Sequence, residues 1–159
     1  MSNISTRVSR RRFCAGACQA ASGATLATLF TACGGGASSP TSPSGMASAL
    51  DRVAGRFTGP GVQVTVAGSP LAAAGGAVLV ESTAGVFLLA RTGESAFSAV
   101  EAVCTHEGCT VNGAAGDVYV CPCHGSRYTR SGQVVNGPAT AALRQYRTSV
   151  ADGVVTITL

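Results

Sequence analysis

Tryptophan and lysine are absent from this chain of 159 residues, aromatic side chains make up only 5% of it, and charged side chains only 11%. Positive charge therefore rests on arginine alone, and four of the eleven arginines, Arg7, Arg10, Arg11 and Arg12, fall within the first twelve residues. From residue 13 onward seven arginines balance seven acids, so the formal net charge of +4 belongs to the N-terminus. The neutral remainder offers no basic face for phosphates, and nucleic acid is not an expected partner. The length excludes a second full-sized domain. An apolar fraction of 46% excludes an intrinsically disordered chain, and 21 glycines among many alanines and threonines point to short elements joined by tight turns.

The first fifty or so residues read as address and tether. Residues 1–12 are polar and arginine-rich, and residues 13–32 are small and apolar, the layout of a secretion signal. Ser9-Arg10-Arg11-Arg12-Phe13 resembles the bacterial twin-arginine signal, whose use implies export of a folded protein with its cofactor inserted. A general secretory signal with an arginine-rich start is the alternative. Thr31-Ala32-Cys33-Gly34 resembles a lipoprotein processing site, at which Cys33 would become the lipid-bearing first residue. An uncleaved anchor or cleavage elsewhere remain open as well. Residues 34–45 are a Gly/Ser/Pro tether without apolar periodicity. The expected organisation is a signal over 1–32, lipid-attachment Cys33 and linker over 33–55, and one domain over 56–159. Such a chain would be exported, face the periplasm and be held to a membrane by lipid at Cys33.

Beyond the tether, short runs rich in β-branched and aromatic residues recur between turn residues. Val62-Gln63-Val64-Thr65-Val66 alternates with period two, between Gly59-Pro60-Gly61 and Gly68-Ser69-Pro70. Similar runs cover 77–81, 86–91, 97–104, 117–121, 133–135, 143–150 and 154–159. The only helical material is 47–56 and 71–74. Closely spaced short strands of this kind imply an all-β fold, with antiparallel sheets packed as a sandwich or barrel.

Of seven cysteines, Cys14, Cys18 and Cys33 lie in the signal region, and Cys104, Cys109, Cys121 and Cys123 in the domain. The only histidines, His106 and His124, fall inside the second group, giving Cys104-Thr105-His106-Glu107-Gly108-Cys109 and, eleven residues on, Cys121-Pro122-Cys123-His124-Gly125-Ser126. Each segment offers one Cys–His pair and one further Cys. A thiolate and an imidazole two or three residues apart can reach one metal from a single loop, and two such loops supply four ligands. Zinc accepts that ligand set, but a structural zinc site has no need of the two extra cysteines.

The two segments closely resemble the Rieske iron-sulfur proteins, whose Cys-x-His and Cys-x-x-His loops bind one [2Fe-2S] cluster with two His replacing two Cys on one iron. The resemblance implies a Rieske-type antiparallel β-sandwich with the cluster at its tip. It implies Cys104, His106, Cys121 and His124 as ligands, the cysteines on the inner iron and the histidines on the outer one. It also implies a disulfide between Cys109 and Cys123, as in the cytochrome bc1 and arsenite oxidase types. Ser126 and Tyr128 match the hydroxyl donors of the high-potential members, the first aimed at a bridging sulfide and the second at the sulfur of Cys104. Donors of this kind stabilise the extra negative charge of the reduced state and raise the potential. Asn136-Gly137-Pro138-Ala139-Thr140 resembles the proline-containing loop that covers the cluster, with Thr140 where the family often has a second proline. Glu107 stands where the cytochrome bc1 subunits usually carry Leu, and a charge there would be costly to bury in an apolar quinol pocket.

The function so implied is single-electron transfer at high potential between periplasmic or membrane redox partners. The second reading is the iron-sulfur subunit of a larger oxidoreductase, of quinol–cytochrome c reductase or arsenite oxidase type. In either case the chain is not catalytic alone, its partners are redox proteins, and no small-molecule substrate is expected.

Overall fold

The computed structural model describes residues 47–159; the expected signal, Cys33 and the tether as far as residue 46 lie outside the described residues. The described chain is almost entirely β, in thirteen strands. Five form one sheet, in the order β1 (Ser48–Ala49), β8 (Gly113–Ala115), β9 (Val118–Val120), β10 (Arg127–Thr129) and β11 (Val134–Asn136). The other eight run β2 (Asp51–Ala54), β5 (Ala77–Ser82), β6 (Gly85–Arg91), β7 (Phe97–Glu101), β12 (Gln145–Ala151), β13 (Val154–Thr158), β4 (Gly61–Thr65) and β3 (Arg56–Phe57). Pairing is antiparallel except between β2 and β5. Strand β12 links the two halves of the large sheet, pairing Gln145 and Tyr146 with β7 and Arg147–Ala151 with β13.

Central strands β5 and β6 are continuous apolar runs because both of their faces are buried, whereas a strand with one wet face alternates. Ala77 and Leu79 of β5 and Leu88 and Ala90 of β6 pack on one side, together with Val100, Val111, Tyr119, Tyr128, Leu143 and the cysteines Cys104 and Cys121. Their neighbours Val78, Val80, Phe87 and Leu89 point the other way, onto Val62, Val64, Leu71, Val155 and Ile157. Full burial of each such aliphatic side chain contributes about 1.5–3 kcal/mol.

The sequence expectations fail at the edges. Helix was expected over 47–56, but that segment holds strands β1 and β2 and the first residue of β3, Arg56. Asp51–Ala54 adds as an edge strand to β5, and Arg52 forms an ion pair with Glu81 at the end of that strand. Main-chain pairing with a buried strand overrides the helix preference of an alanine-containing segment. At 71–74 the helical material reduces to one 3-10 turn, Pro70–Ala72, whose first free N–H, at Leu71, donates to the Ser69 hydroxyl at 3.3 Å. Strand β7 stops at Glu101, earlier than the run to Cys104 suggests, leaving that cysteine in a loop. Among the described residues no helix is long and apolar enough to cross a membrane.

Candidate metal centre

Two loops carry the cysteines and histidines, one between β7 and β8 and one between β9 and β10, and they are closed in the same way. In the first, the Cys104 N–H donates to the Cys109 carbonyl at 2.8 Å and the Cys104 carbonyl accepts from the Gly108 N–H at 2.9 Å. In the second, the Cys121 N–H donates to the Ser126 carbonyl at 2.8 Å and the Cys121 carbonyl accepts from the Gly125 N–H at 3.0 Å. Both turns end on a glycine at φ +75°, where a side chain would be strained. A bridge between Val103 and Thr110 ties the base of the first loop. The Cys109–Cys123 disulfide, implied by the resemblance, is present and locks one loop to the other.

The frame puts the thiols of Cys104 and Cys121 inside and the imidazoles outside. Both cysteines are buried and are the free cysteines of the described residues. The imidazoles of His106 and His124 lie with ring centroids 5.0 Å apart and planes at 88°, their side chains 27% and 49% exposed. The Nδ1 of His106 is buried without any hydrogen-bond partner. A buried nitrogen left unpaired is costly in a native fold unless something else fills its lone pair. Two free thiols, two imidazoles and that orphaned nitrogen suit a metal centre with mixed sulfur and nitrogen ligation. The Glu107 carboxylate, 60% exposed, lies 3.6 Å from Nδ1 of His124 and 3.9 Å from Nε2 of His106.

Electrostatics separate the two buried thiols. Burial pushes the Cys104 thiol up, but hydrogen bonds from the Tyr128 side chain, the His106 backbone, Cys121 and Ser126 outweigh it, and its pKa falls below the ordinary value. Burial raises the Cys121 thiol, backbone bonds from Cys123 and His124 oppose this only in part, and the neighbouring Cys104 adds to the rise. Donors therefore converge on Cys104 in particular.

Two hydroxyls named from the sequence are placed against this site. The Tyr128 hydroxyl lies 3.2 Å from Cys104 Sγ, on a ring that is fully buried. Ser126 is fully buried; its Oγ accepts from the Ala139 N–H at 3.2 Å, which leaves its own proton free to donate toward Cys104. Ala139 belongs to the third loop, Asn136–Thr140, which comes so close that a Cβ on Gly137 would meet the Ser126 Cα at 2.5 Å. One residue passed over in the sequence also joins the network. Thr105 Oγ1 lies 3.1 Å from the Tyr128 hydroxyl and donates to the Ala141 carbonyl at 2.6 Å. Its position between the first Cys and His of the motif was the only available signal, because Ala141 lies 36 residues further along the chain.

Residues 59–147, more than half of the chain, match the family described as the Rieske [2Fe-2S] domain. Among curated proteins, the cytochrome b6-f complex iron-sulfur subunit of Chlorobaculum tepidum is 41% identical over 63 residues, covering 39% of this chain and 35% of that protein. The corresponding cyanelle subunit 1 of Cyanophora paradoxa is 52% identical over 58 residues, covering 35% of this chain and 24% of its own length. The chain thus spans a third or less of these relatives, or little more. Among solved structures, the cyanobacterial plasma membrane Rieske protein PetC3 from Synechocystis PCC 6803 is 34% identical with a TM-score of 0.48, covering 52% of this chain and 86% of that one.

Proposed function

This chain belongs to the Rieske [2Fe-2S] domain family, whose domain binds one [2Fe-2S] cluster, and on that premise we propose that Cys104, His106, Cys121 and His124 are the four ligands and that the protein carries single electrons at high potential. When bound, the cluster supplies a one-electron couple. Cys104 and Cys121 hold it from the buried side, where their thiolates are shielded from water. His106 and His124 hold it from the open side, so that a redox partner approaches an imidazole edge and not a sulfur. Neutral imidazoles in place of thiolates lower the negative charge of the site, and the hydroxyls of Ser126 and Tyr128 place positive dipole ends toward it; both favour the reduced state. The observation that carries this reading is the pairing of buried free thiols with the orphaned Nδ1 of His106.

The partners are proposed to be redox proteins at the periplasmic face of a membrane, with the chain exported by a twin-arginine signal and tethered by lipid at Cys33. The arginine pattern at 10–12 and the Thr31-Ala32-Cys33 site support this. The second reading is an iron-sulfur subunit of a larger oxidoreductase, supported by relatives that carry that description. Glu107 argues against the apolar quinol pocket version of it, because its exposed carboxylate would have to be desolvated on docking.

A spectroelectrochemical titration tests the function. A coloured protein with a one-electron midpoint in the upper part of the range from about −150 to +300 mV supports a high-potential carrier. A colourless protein with stoichiometric zinc would overturn it. Copurification of the full chain with a cytochrome b or molybdenum subunit would favour the complex over a free-standing carrier.

A further inference from the structure

The hydrogen-bond network around Tyr128 contains more groups than are needed to aim one donor at Cys104. Thr105 Oγ1 has one proton, and a carbonyl oxygen can only accept; the 2.6 Å contact to the Ala141 carbonyl therefore consumes that proton. Toward Tyr128, at 3.1 Å, Thr105 Oγ1 is then an acceptor only. The Tyr128 hydroxyl also has one proton, and two acceptors stand within reach of it, Cys104 Sγ at 3.2 Å and Thr105 Oγ1. An oxygen acceptor at 3.1 Å is long for an O–H···O bond, whose usual distance is about 2.7–2.8 Å. It competes without capturing the proton outright. Tyr128 is fully buried, so packing fixes the ring and only rotation about the C–O bond redirects the donor.

We propose that Thr105 is a positioning residue which holds down the potential of the centre by drawing the Tyr128 proton away from Cys104, while its own proton latches the first loop to the third at Ala141. Negative charge added to the sulfur on reduction draws the Tyr128 proton toward Cys104, and removing it lets Thr105 take a larger share. The hydroxyl thus responds to the redox state through a rotation that moves no heavy atom. This rests on the ligand assignment proposed above.

The sign of one substitution separates this role from simple support. Thr105→Val keeps the shape and removes the acceptor; Ala141 is exposed, so water can satisfy its carbonyl. Tyr128 then donates to Cys104 alone and the midpoint rises. Thr105→Ser, which retains the hydroxyl, keeps the wild-type midpoint. Tyr128→Phe lowers the midpoint, and in that background Thr105→Val has no further effect, since no proton is left to redirect. The measurement is the midpoint of all five proteins (wild type, three single variants and the double variant) by redox titration of the visible spectrum, with thermal unfolding alongside. A lower or unchanged midpoint in Thr105→Val, or an undiminished shift in the Tyr128→Phe background, would overturn the proposal. If the wild-type protein holds no iron-sulfur cluster, the ligand assignment itself fails, a different result from a cluster whose midpoint ignores Thr105.

Discussion

The two faces of the β5–β6 layer are built from neighbouring residues of the same strands and yet do different work. Val78, Val80, Phe87 and Leu89 enter a core whose fully buried members are all hydrocarbon. Leu79 and Leu88, one residue away on each strand, enter a core that also holds two thiols and two phenol rings. On the hydrocarbon face any side chain of suitable volume serves, and its cost or benefit is read as stability. On the other face each polar atom needs a partner. Cys104 meets Tyr128 and Tyr128 meets Thr105, while the buried Tyr119 hydroxyl, pushed up to about 12 chiefly by burial, is the exception: it has no hydrogen-bond partner among the described residues, only Arg130 over its ring at 4.5 Å. The difference shows how one sheet can anchor the fold on one side and set the electrostatics of a site on the other.

Substitutions can break that division or sharpen it. The largest effect is expected from Cys121→Ala, which removes one of the four proposed ligands: the purified protein should lack the visible spectrum altogether, while circular dichroism still reports strand, because the opposite core is untouched. Leu89→Ala should do the reverse, costing about 2–5 kcal/mol in denaturant unfolding through the cavity it leaves. The midpoint and the spectrum of the cluster should stay as they are, and a shifted midpoint would show the two faces to be coupled. Ser126→Ala should lower the midpoint, since a buried hydroxyl donor directed at Cys104 is lost. Stability falls by about 1 kcal/mol through the unpaired Ala139 N–H. The smallest effect is expected from Glu107→Leu, which should leave the spectrum intact and alter only the rate of electron exchange with a protein partner. Loss of the cluster in that variant would place Glu107 in the ligation.

Much of this was legible in the sequence, for reasons specific to each segment. The Cys–His loops could be read because all their donors fall within six-residue windows, and strands β4 to β6 because their apolar runs match their burial. Strand β8, Gly113-Ala114-Ala115, could not: it has no β-branched residue and exists because β1 and β9 flank it. The 47–56 segment was misread for a related reason, since a parallel edge pairing across to β5 leaves no local mark. Thr105 and Ala141 escaped because a side chain bonding to a distant carbonyl has no sequence pattern at all.

The most direct test of the centre is an EPR spectrum of the purified protein reduced with ascorbate alone. A rhombic signal of low average g is the expected result, showing mixed histidine and cysteine ligation and, because ascorbate is a mild reductant, a high potential. The same signal appearing only with dithionite would leave the ligands standing and contradict the role given to Ser126 and Tyr128; no signal, with zinc bound after expression in iron-replete medium, would contradict the assignment of Cys104, His106, Cys121 and His124 to an iron-sulfur centre.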